Sequence, residues 1–532
     1  MNSSPIRITW FAAVLCLLFF YLAYIPSLDT IPLRYDDDEA RRAVVTAEMM
    51  LSGDFITPTI NGDIYLNKPP LYNWIISGWF KVFGDFSMMA FRIQVILAIA
   101  ITGFFIFRFT KKYTSPGIAF FTAFAYATNG RILIFDSFTG LIDTSFTLVV
   151  YLMFMATFYF GEKKKYWQLF LFTYLLAAVG FLMKGMPALV FQALTLLTYF
   201  IWQKKFRVLL SIFHIGGIIL LAIICGTYYF IFFNRNDLSP VEVFSNLLNE
   251  SSKRTPGHFG ILRNIKHLFT FPPEMIYHYA PWTLFVIALF TRKLGKKLRA
   301  NRFIWYSALV FLVNFPVYWI SPEVYPRYLF MFLPLMFSVF FYMYMEHLPS
   351  DSWQHKFIYI FTLGLCGLLL IGILIVPFTG LIDISQLKYV ILLALLFSYL
   401  FWMTWRHKDL CMFALLLTVL VFRIGFGWFV MPERAKKHIV YRERAATISA
   451  ITKDRPLHIL RGSDIGNFDG MSFHIATMRG ELLGYRNNID TTGFYIADAV
   501  QLKGKTYVRY YSFPNFYAPD SLRLVRFLYL QP

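Results

Sequence analysis

Residues 36–74 read DDDEARRAVVTAEMMLSGDFITPTINGDIYLNKPPLYNW and follow an apolar segment near the start of the 532-residue chain. They gather acidic and basic side chains in a chain whose residues are 58% hydrophobic and only 15% charged. This composition is far more apolar than that of soluble globular proteins. It predicts a polytopic membrane protein, with residues 36–74 in a polar loop at the membrane surface.

Apolar segments long enough to cross a bilayer, roughly 17 to 25 residues, recur outside this loop. They predict an α-helical membrane protein with about thirteen transmembrane helices. The segments lie near residues 8–29, 88–109, 116–134, 143–160, 167–183, 186–202, 208–233, 277–291, 303–320, 328–346, 357–377, 388–404 and 411–431.

Basic clusters between these segments predict the orientation, because short cytoplasmic loops are enriched in Lys and Arg. With a cytoplasmic N-terminus, clusters such as 163–165, 204–207 and 292–302 all face the cytoplasm. The same parity places the loops 30–87 and 234–276 outside. We expect the first apolar segment to be a retained anchor, since it lacks a small-residue cleavage site.

The tail after residue 431 is more polar than the rest of the chain. RAKKHIVYRERAATISAI has helical spacing, whereas PLHILRG and KTYVRYYSF have the composition of strands. We therefore predict a transmembrane domain over residues 1–431 and a small external α/β domain over residues 432–532.

The net charge of +20 comes mostly from short basic clusters between apolar segments. Such clusters are typical of topology signals and of contacts with anionic lipids, so nucleic-acid binding is excluded. The four cysteines fall inside apolar segments without metal-ligand spacing, which excludes a disulfide framework and a zinc knuckle. They are Cys16, Cys225, Cys366 and Cys411.

The aspartates of residues 36–38 precede a segment with apolar residues on one helical face. We predict an amphipathic helix over residues 39–52, lying along the outer membrane surface. One aspartate is enough to cap this helix. Three of them followed by Glu39 exceed that need, so the residues alone leave capping and a functional role both open.

Cationic side chains near the predicted external ends of helices form a second pattern. Lys68 stands before two prolines, which restrict the backbone and aim the side chain at the membrane interface; snorkelling is the alternative. Asp143 begins the fourth helix, where capping is again an alternative. Together the external cations could bind a phosphate. The others are Arg131, Lys184, Arg254 and Arg327.

Residues 36–74 resemble the first external loop of the lipid A aminoarabinose transferases. That family and the protein O-mannosyltransferases are GT-C glycosyltransferases that use polyprenyl-phosphate sugars. The resemblance lies in the order Asp-Glu-x-Arg, Glu-Met, Ser-Gly-Asp, Asn-Gly, Tyr and Lys-Pro. Weaker similarity follows at Asp143, in FLMKG, in APW at 280–282 and in PRYLFMFLP, so that it spans roughly the first 340 residues.

The resemblance implies roles for individual residues. Asp38 takes the place of the central acidic group, and Asp143 that of a second catalytic acid. Lys68 matches the lysine that engages phosphate, and Tyr328 a tyrosine near the carrier phosphate. The other implied donor or phosphate contacts are Arg41, Tyr65, Lys184, Arg254 and Arg327, and the further candidates are Glu39, Glu48 and His258.

Two positions depart from the family pattern. Arg42 stands where relatives commonly have Tyr, and Asn67 where some have a Glu implicated in a metal site. A divalent metal at Asn67 and His258 therefore stays only an alternative, and no cofactor is required by the sequence, because cations alone can stabilise a departing phosphate.

The sequence therefore predicts an integral-membrane glycosyltransferase that moves a sugar from a polyprenyl-phosphate donor to a lipid, glycan or protein acceptor. We expect it in the bacterial inner membrane, in contact with membrane lipids, with the transfer on the periplasmic side. A transporter or flippase is the alternative, in which the same acids would carry ions or substrate. Transporters place such charges near the bilayer midplane, whereas these acids lie on an external loop. A third reading, a structural scaffold, leaves the cations unexplained.

Overall fold

The structure is a computed structural model that describes residues 10–34, 37–252, 257, 259–380, 382–466, 468–514 and 522–528. It is mostly helical, as the apolar segments predict. The α-helices are α1 (Trp10–Tyr24), α2 (Asp38–Ser52), α3 (Leu71–Phe83), α4 (Met88–Tyr113), α5 (Pro116–Ala127), α6 (Gly130–Ile134), α7 (Asp143–Glu162), α8 (Tyr166–Lys184), α9 (Pro187–Trp202), α10 (Ile212–Arg235), α11 (Pro240–Ser252), α12 (Ile261–His278), α13 (Leu294–Arg299), α14 (Arg302–Asn314), α15 (Pro316–Trp319), α16 (Leu333–His347), α17 (Trp353–Ile375), α18 (Leu387–Arg406), α19 (Cys411–Ile451) and α20 (Asp469–Arg479).

Short 3₁₀ helices extend or join several of these elements. They lie at Ile25–Ser27, Asp136–Phe138, Phe206–Leu210, Trp282–Leu289, Pro326–Phe332, Val376–Phe378, Ile384–Gln386 and Lys408–Leu410. The strands are β1 (Thr59–Ile60), β2 (Asp63–Ile64), β3 (Leu457–Leu460), β4 (Gly484–Arg486), β5 (Phe494–Asp498), β6 (Tyr507–Phe513) and β7 (Leu522–Phe527).

Nine helical segments in the described part of the chain are long and apolar enough to cross a membrane. They contain α1, α4, α7, α8, α10, α16, α17, α18 and α19. The chain is thus a multi-pass helical membrane protein, as predicted. The other four of the thirteen expected segments are shorter or interrupted: 116–134 divides into α5 and α6, 186–202 is the 16-residue α9, 277–291 contains an eight-residue 3₁₀ helix, and 303–320 divides into α14 and α15.

The chain divides into two compact units. The first consists of residues 1–27, 95–226 and 248–430, and is a helical assembly in which α7, α8, α9, α14 and α16 pack on one another. Its interior is largely aromatic; Phe154 stacks on Phe332 with ring centroids 6.2 Å apart, and Tyr306 donates a hydrogen bond to the carbonyl of Phe154. Aromatic pairs of this kind stabilise apolar interiors beyond their buried area.

The second unit consists of residues 28–94, 227–247 and 431–532. Its tail forms a five-stranded sheet in the order β4-β3-β5-β7-β6, in which β3 pairs parallel with β4 and β5, and β7 pairs antiparallel with β5 and β6. The sheet packs with α20 and the end of α19 around Ile448, Ile459 and Ile475, which are fully buried. The predicted strands in PLHILRG and KTYVRYYSF are β3 and β6. α19 runs unbroken through the domain boundary expected at residue 431.

The loop between α1 and α4, which is the first loop of the sequence analysis, belongs to this second unit and contains the predicted amphipathic helix as α2. Strands β1 and β2 form a hairpin with a two-residue turn at Asn61 and Gly62, whose φ angles are +52° and +81°. Asn-Gly is the pair that tolerates such a turn with least strain. α2 packs against α20 of the tail, so this loop and the tail form one folded body.

Candidate active site

Asp143 is the centre of a buried charged cluster in the first unit. It is the first residue of α7, and its Oδ1 lies 2.5 Å from Nζ of Lys184, the last residue of α8. Its Oδ2 lies 3.2 Å from Nε of Arg327, in the 3₁₀ helix Pro326–Phe332. The three side chains are 5%, 7% and 11% exposed, so the structure brings these three predicted residues together in an interior site. The N-cap residue of α7 is Ile142, and Asp143 lies in the first turn of that helix.

Aromatic rings surround the two cations of this cluster. The Lys184 ammonium lies 4.1 Å from the ring centroid of Tyr328 and 5.1 Å from that of Phe146. The Arg327 guanidinium lies 4.3 Å from the ring centroid of Tyr325 and 5.6 Å from that of Tyr328. Aromatic faces attract cations while excluding water. Tyr328 therefore joins the cluster, and its implied place near the carrier phosphate stays a prediction.

A second buried ion pair in this unit joins Arg131 to Asp136, with 2.6 Å between Nε and Oδ2. Gly130 allows this placement, because a Cβ there would lie 2.9 Å from the carbonyl oxygen of Ala280. Burial raises the pKa of Asp136 to about 6, against the opposing charges of Arg131 and Arg327. Asp136 was not among the site residues predicted from the sequence. An acid five residues after Arg131 in an apolar stretch could have indicated a buried ion pair.

Asp38 lies on the solvent side of the N-terminus of α2 in the second unit. Asp37 is the N-cap, and its carboxylate accepts a hydrogen bond from the backbone N–H of Ala40 at 2.9 Å. The Asp38 side chain is 50% exposed, and its Oδ1 lies 3.6 Å from Nη1 of Arg41. Capping is thus performed by Asp37, and Asp38 presents an accessible carboxylate. Asp36 lies outside the described residues.

Glu39 faces the interior of the second unit. Its two carboxylate oxygens accept hydrogen bonds from Arg92 at 2.7 and 3.1 Å, and both side chains are almost fully buried. Arg92 also donates to the carbonyls of Leu28 and Ile31, which ties the start of the loop to α4. This ion pair holds α2 in place, and each carboxylate oxygen of Glu39 accepts a hydrogen bond from the guanidinium of Arg92.

Arg42, the departure from the family pattern, is buried and holds Tyr65. Its Nη2 donates a hydrogen bond to the Tyr65 hydroxyl at 2.7 Å, and its carbonyl accepts one from Asn73 at 3.1 Å. Burial raises the pKa of Tyr65, with Arg42 and Arg41 opposing that rise. Tyr65 is therefore a neutral phenol held against α2.

Glu48 organises the hairpin of the first loop. Its carboxylate accepts hydrogen bonds from the Thr59 hydroxyl and the Asn61 N–H, each at 2.6 Å, and from the Gly62 N–H at 3.4 Å. Burial raises its pKa, and these hydrogen bonds oppose the rise. This geometry gives Glu48 a role in loop shape.

Lys68 is half-buried at the end of the same loop. The buried Pro69 and Pro70 follow it, and Pro70 is the N-cap residue of α3. Asn67 accepts a long hydrogen bond of 3.5 Å from Asn246. The prolines thus connect Lys68 directly to the start of α3, and its predicted aim at the membrane interface stays a prediction.

Arg254 and His258 lie outside the described residues. Within the described ranges, no three His, Cys, Asp or Glu side chains gather as a metal site would require. The other candidates fall into two groups. Asp143, Lys184, Arg327 and Tyr328 form one in the first unit, and Asp38, Glu39, Arg41, Glu48, Tyr65 and Lys68 belong to the first loop in the second.

The fold is that of a GT-C type membrane protein. The chain superposes on the crystal structure of ArnT from Cupriavidus metallidurans bound to undecaprenyl phosphate with a TM-score of 0.67, covering 96% of this chain and 97% of that one at 18% identity. The same protein in its apo state gives a TM-score of 0.64 at 16% identity. These matches confirm the predicted fold class.

The sequence also matches a protein-family model and several curated proteins. Residues 67–230 match the family model described as dolichyl-phosphate-mannose-protein mannosyltransferase. The undecaprenyl phosphate-alpha-4-amino-4-deoxy-L-arabinose arabinosyl transferase of Pseudomonas aeruginosa strain UCBPP-PA14 is 30% identical over 209 residues, which cover 38% of this chain and 37% of that protein. The enzyme of the same name from Edwardsiella ictaluri is 27% identical over 220 residues, covering 40% and 38%. The matches thus span less than half the length of these curated relatives, and they confirm the resemblance seen in the first loop.

Proposed function

We propose that this protein is an integral-membrane glycosyltransferase that moves a sugar from a polyprenyl-phosphate donor to a lipid, glycan or protein acceptor. The observation that carries the proposal is the buried Asp143 carboxylate held between Lys184 and Arg327. Both Asp143 and Lys184 lie inside the segment that matches the mannosyltransferase family model. The relatives named for undecaprenyl-phosphate chemistry support the donor class.

The charge of the first-unit cluster suits a phosphate ligand. Lys184, Arg327 and Arg131 supply three cations, against the carboxylates of Asp143 and Asp136. A buried excess of positive charge is costly unless an anion offsets it. A phosphate monoester bound here would accept hydrogen bonds from Lys and Arg donors.

The reaction breaks the bond between C1 of the sugar and the carrier phosphate oxygen. Negative charge grows on the departing phosphate and positive charge on the sugar ring. Cations held by Asp143 stabilise the phosphate where its charge develops, without reorganising water. Lys68, from the first loop, is proposed as a further phosphate contact.

Asp38 is proposed as the acid that acts at the sugar and acceptor. Its half-exposed carboxylate can accept a proton from an acceptor hydroxyl as general base. If the acceptor is a phosphate, no base is required, and the ionised carboxylate instead stabilises the cation-like sugar.

We propose that the protein lies in the bacterial inner membrane, with a cytoplasmic N-terminus and the first loop and tail in the periplasm. The basic clusters between helices support this orientation. Its partners are then an undecaprenyl-phosphate sugar, an envelope acceptor and the surrounding lipids.

Two linked measurements test the proposal. Mass spectrometry of envelope glycolipids and glycoproteins should show one pentose-like or hexose-like increment that disappears when the gene is deleted, and that Lys184→Met fails to restore. Purified protein in detergent should then transfer that sugar from its undecaprenyl-phosphate ester. Detergent removes the two membrane sides, so a flippase would give no product. If deletion removes the increment but the purified protein transfers no sugar in detergent, the proposal that this protein is the glycosyltransferase is wrong.

A further inference from the structure

Asp469 links the tail to the helix that carries Asp38. It is the first residue of α20, and its Oδ2 lies 3.3 Å from Nε of Arg41 on α2. Nη1 of the same Arg41 lies 3.6 Å from Oδ1 of Asp38. One guanidinium therefore lies between two carboxylates, one 10% exposed and the other 50% exposed.

Backbone contacts hold this arrangement in place. The N–H of Tyr485, on the edge strand β4, donates a hydrogen bond to the carbonyl of Asn61 at 3.1 Å. Gly62 approaches Gly484 so closely that a Cβ on Gly62 would lie 3.7 Å from the Gly484 Cα. The hairpin of the first loop thus docks on the sheet edge. The position of Asp469 relative to α2 follows from this docking and from the packing of α2 on α20.

We infer that Asp469 is a positioning residue, which holds the Arg41 guanidinium at a fixed place beside the accessible carboxylate of Asp38. The inference rests on the transfer reaction proposed above. A guanidinium presents its donors in a rigid fork, so the contact through Nε to Asp469 fixes where the Nη groups lie. Through this contact the tail contributes to the site without touching substrate.

Asp469→Asn removes the charged contact at Nε of Arg41, so the guanidinium is no longer held at its present place beside Asp38. Displacing a charged group at the reacting centre slows the reaction more than it weakens donor binding.

The test compares Asp469→Asn, Asp469→Glu and Arg461→Gln with the wild type. Arg461 donates to Asp63 at 2.7 and 3.0 Å, so Arg461→Gln breaks another contact between the first loop and the tail without touching Arg41. Each purified full-length protein is assayed in detergent, with the envelope molecule that carries the mass increment described above as the acceptor. The first donor is undecaprenyl phosphate 4-amino-4-deoxyarabinose, followed by other undecaprenyl-phosphate pentoses and hexoses. kcat and KM are measured separately, and folding is checked by thermal unfolding.

We expect Asp469→Asn to lower kcat by about tenfold or more, with a smaller change in donor KM. Asp469→Glu should recover part of the rate, and Arg461→Gln should behave as the wild type. A wild-type kcat in Asp469→Asn would overturn the inference alone. So would equal rate losses in Asp469→Asn, Asp469→Glu and Arg461→Gln, since a purely structural contact between loop and tail predicts that result. Absence of transfer by the wild type from every donor would instead overturn the proposed function.

Discussion

The Lys184 ammonium lies 2.5 Å from Oδ1 of Asp143, although 41 residues separate them in sequence. Arg327 approaches the other oxygen of the same carboxylate, so Asp143 holds two buried cations next to each other. Without a carboxylate between them, these cations would repel each other in a medium that screens charge poorly. Asp143 therefore has a structural task as well as a proposed catalytic one, and the two can be separated by substitution.

Asp143→Asn should cost more stability than Lys184→Met. The first change leaves Lys184 and Arg327 buried without their shared charge, a loss of about 3 to 5 kcal/mol for a broken buried pair. The second leaves Arg327 beside Asp143. Both should strongly reduce transfer. Thermal unfolding in detergent checks which variant is less stable, and turnover is measured on the same proteins.

Glu323→Gln provides the matched control. Glu323 pairs with Arg263 at 2.7 Å, and the two side chains are 48% and 56% exposed. Exposed pairs contribute at most about 1 kcal/mol, so its effect should be small. If Lys184→Met unfolds at a lower temperature than Asp143→Asn, or turns over normally, the assignment of the cluster is wrong.

Asp38→Asn should abolish transfer and leave the unfolding temperature nearly unchanged. Asp37 provides the N-cap of α2, so the substitution removes only a half-exposed charge. Asp63→Asn, an acid in the same loop with a 50% exposed side chain, is the control and should retain activity. Near-normal turnover of Asp38→Asn would remove Asp38 from the reaction.

Local sequence patterns predicted much of this fold. Apolar length predicted the long helices, and the apolar face of residues 39–52 predicted the helix α2. Pattern alone failed where a segment such as 303–320 has suitable composition but a proline at residue 316 interrupts the helix. Apolar composition indicates how favourable it is to move a segment from water into lipid. Whether the helix is continuous depends on single residues such as proline.

Which charged side chains pair with each other was harder to predict from the sequence. Glu39 and Asp38 are adjacent, yet one is buried against Arg92 and the other is half-exposed. The difference depends on the direction each side chain takes from α2 and on a partner 53 residues away. Asp469 likewise gave no signal, because an acid in the first turn of a helix is an ordinary feature.

Stability should fall as the pH is lowered because of His474. Burial, aided by Arg442, lowers the pKa of this histidine to about 4 from its ordinary value of 6.5. As the pH falls from 6.5, the unfolded chain binds a proton that the folded chain does not. Stability is therefore lost between about pH 6.5 and pH 4, by about 3 kcal/mol in total.

His474→Gln should remove this part of the pH dependence, as measured by thermal unfolding across that range. His407→Gln changes an exposed histidine and should not alter the profile. Parallel profiles for the wild type and His474→Gln would contradict the assignment.

Single cysteines test the proposed orientation, in a protein whose four native cysteines are replaced by alanine. Asp63→Cys and Lys503→Cys introduce thiols at exposed positions of the second unit, and Lys165→Cys introduces one in a predicted cytoplasmic loop. A membrane-impermeant thiol reagent added from the periplasmic side should label the first two and spare the third. Labelling of only the third would show that the orientation is reversed.

Lys68→Ala should lower the turnover number far more than the donor affinity. The two buried prolines after Lys68 restrict the backbone at the start of α3, which limits the positions that the ammonium can reach. A phosphate gathers negative charge as the C1–O bond breaks, so a fixed cation stabilises the transition state more than the bound donor. Such a contact is worth roughly 2 to 4 kcal/mol, or about 30-fold to 1000-fold in rate. Lys81→Ala is the matched control, since its ammonium lies 4.9 Å from the ring centroid of Phe55 at the far end of α3. Turnover and donor binding are measured separately in detergent, and equal, mild defects in the two variants would make Lys68 a membrane anchor.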